Sequence, residues 1–185
     1  MSTRPPGPRG EPLFEYLGEG QGCTLPLPEI QIIGGGAHAN WRTDVQDFLL
    51  IAIGASTYEE TLEITHNVYH AAGDLLRGQR RMYGAADEGG YWPEFSQHEQ
   101  IFALLMQAME AAGYTPGREA AISLDIAASD LYDTARQRYR FALEGREFTS
   151  DQFADLMIRW CRTYPVISIE DPMAETIIKS SLVEG

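Results

Sequence analysis

Three short apolar runs separated by helical patterns limit what this chain can fold into. Phe48 to Ile53 (FLLIAI), Ala121 to Ala127 (AISLDIA) and Val166 to Ile169 (VISI) are nearly unbroken in apolar character. Strands covered on both faces read this way. Ile30 to Ile33 is a further strand candidate that stops at Gly34-Gly35-Gly36, and Tyr83 to Ala86 is a short segment leading into Asp87-Glu88-Gly89-Gly90. Helical spacing fills the intervals. From Thr57 to Arg77 one face carries Leu62, Tyr69, Ala72 and Leu76. From Gln97 to Ala112 a Ser96/Glu99 capping box opens a stripe of Ile101, Leu104, Leu105, Ala108 and Met109. From Asp151 to Thr163 the pattern buries Phe153, Leu156, Met157, Trp160 and Cys161, and Pro165 ends it. Asp130 to Thr149 reads as an irregular excursion. Strands alternating with helices indicate an α/β protein with a largely parallel sheet.

Composition narrows the function. The 185 residues hold 14 Lys and Arg against 27 Asp and Glu, a net charge of −13. A phosphate-binding surface for nucleic acid or an anionic membrane needs clustered cations, so neither is expected as a partner. The opening residues, MSTRPPGPRG, are rich in Pro and Gly and lack an apolar signal core. Residues 1–11 are therefore expected to be a flexible leader. Two cysteines, Cys23 and Cys161, are too few for a disulfide framework, which fits a reduced, cytoplasmic setting.

In parallel α/β sheets the chemistry gathers at the carboxyl ends of the strands. Asp125 and Glu170 each end an apolar run, and Asp87-Glu88 follows a third segment. Two carboxylates at neighbouring strand ends repel in a dry site, and a hard divalent cation such as Mg²⁺ relieves that cost. From spacing alone the same acids read more readily as helix caps or partners of arginines. Glu88, before two glycines, is a candidate acid or base, or part of an exposed turn. The glycine run ending at His38 can cradle an anion, with His38 adding a proton or hydrogen bond. His66 and His70 are spaced as metal ligands can be on a helix, but HNVYH has no Glu in the H-E-x-x-H position, and the pair reads more readily as a surface or core pair.

Six segments taken in order resemble the enolase (phosphopyruvate hydratase) family: PLFEYLG (12–18), LPLPEIQIIGGGAHAN (25–40), DVQDFLLIAIGA (44–55), ADEGGYWP (86–93), ISLDIAASD (122–130) and PVISIEDPMAE (165–175). The resemblance implies a partial enolase-type (α/β)8 TIM barrel, about the first five strands with their helices, the first two antiparallel. The N-terminal α+β domain and the last three strands are not among the matched segments. Residues 12–175 are then an incomplete barrel domain and 176–185 an unmatched tail.

The function implied is that of a lyase which dehydrates 2-phosphoglycerate to phosphoenolpyruvate with Mg²⁺. By position, Glu88 resembles the general acid that assists hydroxide departure. Asp125 and Glu170 resemble two of three metal carboxylates, and His38 resembles the histidine that closes near the substrate phosphate. Asp47 stands where the family usually has Glu, beside the leaving water, and Gly34 stands where it usually has Asn. The third metal carboxylate and the lysine base have no counterpart; Lys179, the only lysine, lies in the tail. Turnover by this chain alone is therefore not expected. The alternatives are a non-catalytic enolase-derived fragment that self-associates, or one half of a split enzyme.

Overall fold

The computed structural model describes residues 12–19, 21–22 and 24–177. The expected leader, residues 1–11, and the tail from residue 178, Lys179 included, lie outside them, as does Cys23. A short helix α1 (Leu13–Gly18) buries none of its residues and precedes the sheet.

Six strands form the main sheet: β1 (Ile30–Gly34), β2 (Asp47–Ile51), β3 (Met82–Ala85), β4 (Tyr91–Pro93), β5 (Ala121–Asp125) and β9 (Val166–Glu170). Their order is β3-β4-β1-β2-β5-β9. β2 runs antiparallel to both β1 and β5, whereas β1 pairs with β4, and β5 with β9, in parallel. The sheet is thus mixed rather than largely parallel, and the inversion of β2 is the reason. It is open, with β3 and β9 at its edges. Instead of five strands there are six, because the segment around Asp87-Glu88 folds as a β3–β4 hairpin.

Three helices cover one face. α2 (Tyr58–Gly78) starts where the side chain of Thr57 accepts the Glu60 amide, satisfying one of the free N–H groups of a helix end. It buries Ile64, Val68, Ala72 and Leu76, while Leu62, expected on that face, is 45% exposed. The apolar stripe is offset toward Thr61 and Thr65, which also point inward and bond back to the carbonyls of Thr57 and Thr61. α3 (His98–Ala111) begins one residue later than expected, with Gln97 as its cap and no side-chain bond there. The Ser96/Glu99 box does not form; Ser96 bonds Gln100 instead. α4 (Ser150–Thr163) has a true capping box, Thr149 with Gln152. It buries Phe153, Leu156, Met157 and Trp160, but Cys161 is exposed. No helix among the described residues is long and apolar enough to cross a membrane.

The stretch between Asp130 and Thr149 is ordered, contrary to the expected irregular excursion. It forms a second sheet of β6 (Tyr132–Asp133), β7 (Arg138–Phe141) and β8 (Arg146–Phe148). β7 alternates exposed Arg138 and Arg140 with fully buried Tyr139 and Phe141, the period-2 pattern of a half-buried strand. Tyr139 stacks on Phe153 and Phe141 on Trp160, so this small sheet closes one end of the core against α4.

Candidate active site

Side chains alternate along a strand, so Ser123 and Asp125 share one face of β5 while Ile122 and Leu124 enter the helical core on the other. Register carries that face across the sheet. Asp47 stands opposite Asp125, and Asp125 opposite Glu170. Because β2 is inverted, its first residue, not its last, reaches the rim where β5 and β9 end. Three carboxylates thus meet at the same edge of three adjacent strands.

Each is held differently. Asp47 is 3% exposed and accepts a short hydrogen bond from Gln31, whose carbonyl oxygen in turn accepts the Gly90 amide at 2.7 Å. Gln31 therefore ties Asp47 to the turn that bears Glu88. A Cβ added to Gly90 would lie 2.5 Å from that Gln31 oxygen, so this close approach requires glycine. Asp125 accepts Gln46 at 2.8 Å and the Ala127 amide at 3.0 Å. Glu170, at the end of the edge strand, is exposed.

Burial raises the Asp125 carboxyl above its usual range, and the charges of Asp171 and Glu88 push it the same way; the Ala127 amide and Gln46 offset this only in part. Glu170 is raised chiefly by Asp125, with burial, Asp171 and Glu29 adding to it. Among the described residues, neither Asp125 nor Glu170 forms an ion pair with Arg or Lys. Among the described residues, the rim carries more negative charge than its neighbours compensate.

The backbone is strained at the same place. Ala127 (φ 47°) and Asp171 (φ 43°) are left-handed residues just after the two strand ends, a conformation that costs a non-glycine residue about 1–2 kcal/mol. Their strands are laced together there: the Ile126 amide donates to Glu170 O and the Ala128 amide to Asp171 O, both at 3.1 Å.

Glu88 is exposed in the β3–β4 turn, which is closed by the Ala86 amide to Gly90 O (2.8 Å) and the Gly89 amide to Ala86 O (2.9 Å). It lies near enough to Asp125 for their charges to interact. His38 falls in a 3-10 turn (Gly36–Ala39), and its side chain lies outside what the structure describes. The glycine loop itself is well fixed: Gly35 N–H donates to Gln46 O (2.6 Å) and Gly36 N–H to Thr43 O (2.9 Å). Asp47, Glu88, Asp125 and Glu170 are thus on one rim.

Three further residues support the rim: Gln31, Gln46 and Asp171. Gln31 left a signal, a polar residue inside an apolar strand; Gln46 left none.

The sequence profile described as "Enolase, C-terminal TIM barrel domain" matches residues 22–181. The chain belongs to the enolase family. Enolase 1 of Desulfitobacterium hafniense (strain Y51) is 46% identical over 165 residues, covering 89% of this chain and 38% of that protein. The chain therefore spans well under half the length of that relative. The family assignment explains the mixed sheet as part of an enolase barrel, here open between β3 and β9.

Asp125 and Glu170 fit two ligands of a hard divalent cation: adjacent carboxylates with no Arg or Lys paired to them among the described residues. No group of three or more His, Cys, Asp or Glu side chains able to hold a metal forms among the described residues. Remaining positions would go to water and substrate oxygens, the usual coordination habit of Mg²⁺.

Proposed function

We propose that this chain carries the acid and metal-holding side of an enolase-type lyase, acting on 2-phosphoglycerate in the cytoplasm. The observation that supports this most is the register of Asp47, Asp125 and Glu170 across β2, β5 and β9. Asp125 and Glu170 would hold Mg²⁺, which supplies positive charge against the substrate carboxylate and so makes the C2 proton easier to remove. Glu88, exposed on a turn at the same rim, gives its proton to the 3-hydroxyl as the C3–O bond breaks, and water leaves. Asp47, anchored by Gln31, orients that water, and His38 binds the phosphate. The C2 proton needs a base, a lysine in the family resemblance, that none of these residues supplies.

The test is phosphoenolpyruvate absorbance at 240 nm in the presence of Mg²⁺. The chain alone should give no turnover. Mixed with the C-terminal barrel segment of the Desulfitobacterium relative, it should give turnover that EDTA and Glu88→Gln both abolish. A mixed complex that forms but stays inactive would favour a non-catalytic role. A second reading, a self-associating module, is favoured by edge strand β9, where Ile167 is 55% exposed. Sedimentation of the same samples distinguishes it.

A further inference from the structure

We propose that His66 and His70 on α2 form a chelating site for a late first-row divalent cation, Cu²⁺, Ni²⁺ or Zn²⁺, separate from the carboxylate rim. Both imidazoles are exposed, with ring centroids 4.3 Å apart and planes inclined at 62°. A tetrahedral or square site with metal–nitrogen bonds of about 2.0–2.1 Å needs two nitrogens roughly 3 Å apart. Rings already this close reach that separation by small side-chain rotations, and because both are exposed little packing beyond the edge contact of His70 with Tyr69 is disturbed.

The helical turn that presents them is fixed from both sides. Asn67 donates to the Tyr114 hydroxyl at 2.9 Å, and Tyr69 donates to Gly89 O at 2.8 Å while stacking on Tyr91. Tyr69 also packs edge-on against His70. The pair is thus held by tertiary contacts rather than by helix propensity alone, and less ordering remains to be done on binding. Glu63, three residues before His66, and Asp74, four after His70, flank the pair on neighbouring turns. They place negative potential beside the metal without completing a ligand set, and Asp74 is bonded to Arg77.

Ligand chemistry decides the cation. Imidazole suits Cu²⁺, Ni²⁺ and Zn²⁺, whereas Mg²⁺ and Ca²⁺ take oxygen. Two protein ligands leave open positions for water or a ligand from another molecule. Cation binding on α2 and Mg²⁺ binding at the rim are therefore distinguishable by metal identity.

The experiment is a thermal melt of the full chain with Ni²⁺, with Zn²⁺ and with Mg²⁺, alongside NMR of the histidine rings. Ni²⁺ and Zn²⁺ should raise the midpoint and perturb both His66 and His70 resonances at neutral pH. His66→Gln or His70→Gln should weaken binding by about tenfold or more, since each removes one of two ligands. EDTA should reverse both effects. Cys161→Ser, which removes the exposed thiol, should change nothing. Binding that survives the double His variant, an equal response to Mg²⁺, or no response to Ni²⁺ or Zn²⁺ would each overturn the site.

Discussion

Two groups of acids in this molecule solve the same electrostatic problem in opposite ways. At the rim, Asp125 and Glu170 face each other with Asp171 and Glu88 nearby, and their carboxyls are pushed upward. About the core, Asp44 and Glu144 flank His98, which is fully buried. His98 Nδ1 lies 2.6 Å from Glu144 Oε1, and Nε2 lies 3.5 Å from Asp44 Oδ2. Asp44 also accepts the Ala142 amide at 2.7 Å and the Leu143 amide at 3.1 Å, and Arg146 donates to Glu144 at 2.8 Å. Burial alone would raise Glu144, yet the hydrogen bonds and charge of His98, with Arg146, hold it at about 2. Asp44 is less favoured: burial raises it and His98 and the two amides only partly offset that. One group finds its partners within the chain; the other, among the described residues, has no Arg or Lys paired with it. That contrast is the physical reason to place an external cation at the rim and not in the core.

The largest test of the contrast is His98→Ala. It removes the imidazole shared by two buried carboxylates, leaving Asp44 to its two amides and Glu144 to Arg146 and the residue 98 amide, and so loosens the β7–β8 hairpin and the Asp44 loop from α3. Breaking a buried charged network in this way costs about 3–5 kcal/mol, to be read from urea denaturation. The wild-type protein should show the complementary acid limb. Glu144 is depressed from its ordinary 4.5, so its contribution is complete above that value and is lost as pH falls toward about 2. His98→Ala should shorten this limb, since only the residue 98 amide and Arg146 still hold Glu144 down. A loss below about 1 kcal/mol would mean the group is not compensated as described.

A smaller effect is expected where the rim is closed by backbone rather than by charge. A Cβ on Gly34 would lie 2.3 Å from the Ala86 Cβ, next to the turn carrying Glu88. Gly34→Asn, the residue that the enolase resemblance implies at this position, should therefore cost about 1–3 kcal/mol through overpacking. Combining it with Ala86→Gly should recover most of that loss. Additivity in a double-mutant cycle, rather than recovery, would show that the two positions do not share the space.

Much of the rim was legible in sequence because it lies on strands with short, strong signals: an apolar run that ends in an acid can be read without knowing its neighbours. Asp125 and Glu170 were found this way. The contacts that support them were not, since Gln46 sits 79 residues from Asp125 and only the inversion of β2 brings them together. The His98 group was invisible for the same reason, its partners lying 46 and 54 residues away. The second sheet is a different case. Arg138-Tyr139-Arg140-Phe141 does alternate, but the arginines read more readily as a solvated cluster than as the outer face of a strand. Cys161 and Leu62 show the limit of helical periodicity, which gives a stripe but not its boundary within one turn.

The smallest expected effect carries the most information about the rim. Glu170 is raised by Asp125, so the folded protein keeps its proton to higher pH than the unfolded chain. Stability therefore falls as pH rises through the carboxylate range, the reverse of the Glu144 limb. Glu170→Gln removes that repulsion. At pH 7 and low salt the variant should be more stable than wild type by about 0.5 kcal/mol, a small gain because the side chain is exposed and screened. The gain should disappear as pH falls below the ordinary carboxylate range, where the wild-type carboxyl is protonated, and shrink in high salt. Millimolar Mg²⁺ should then reverse the order, stabilising wild type more than the variant at matched ionic strength. If the variant is no more stable at pH 7, the rim carries no repulsion for a cation to relieve. If it is more stable but Mg²⁺ leaves the order unchanged, the repulsion is present and these two carboxylates do not hold the metal.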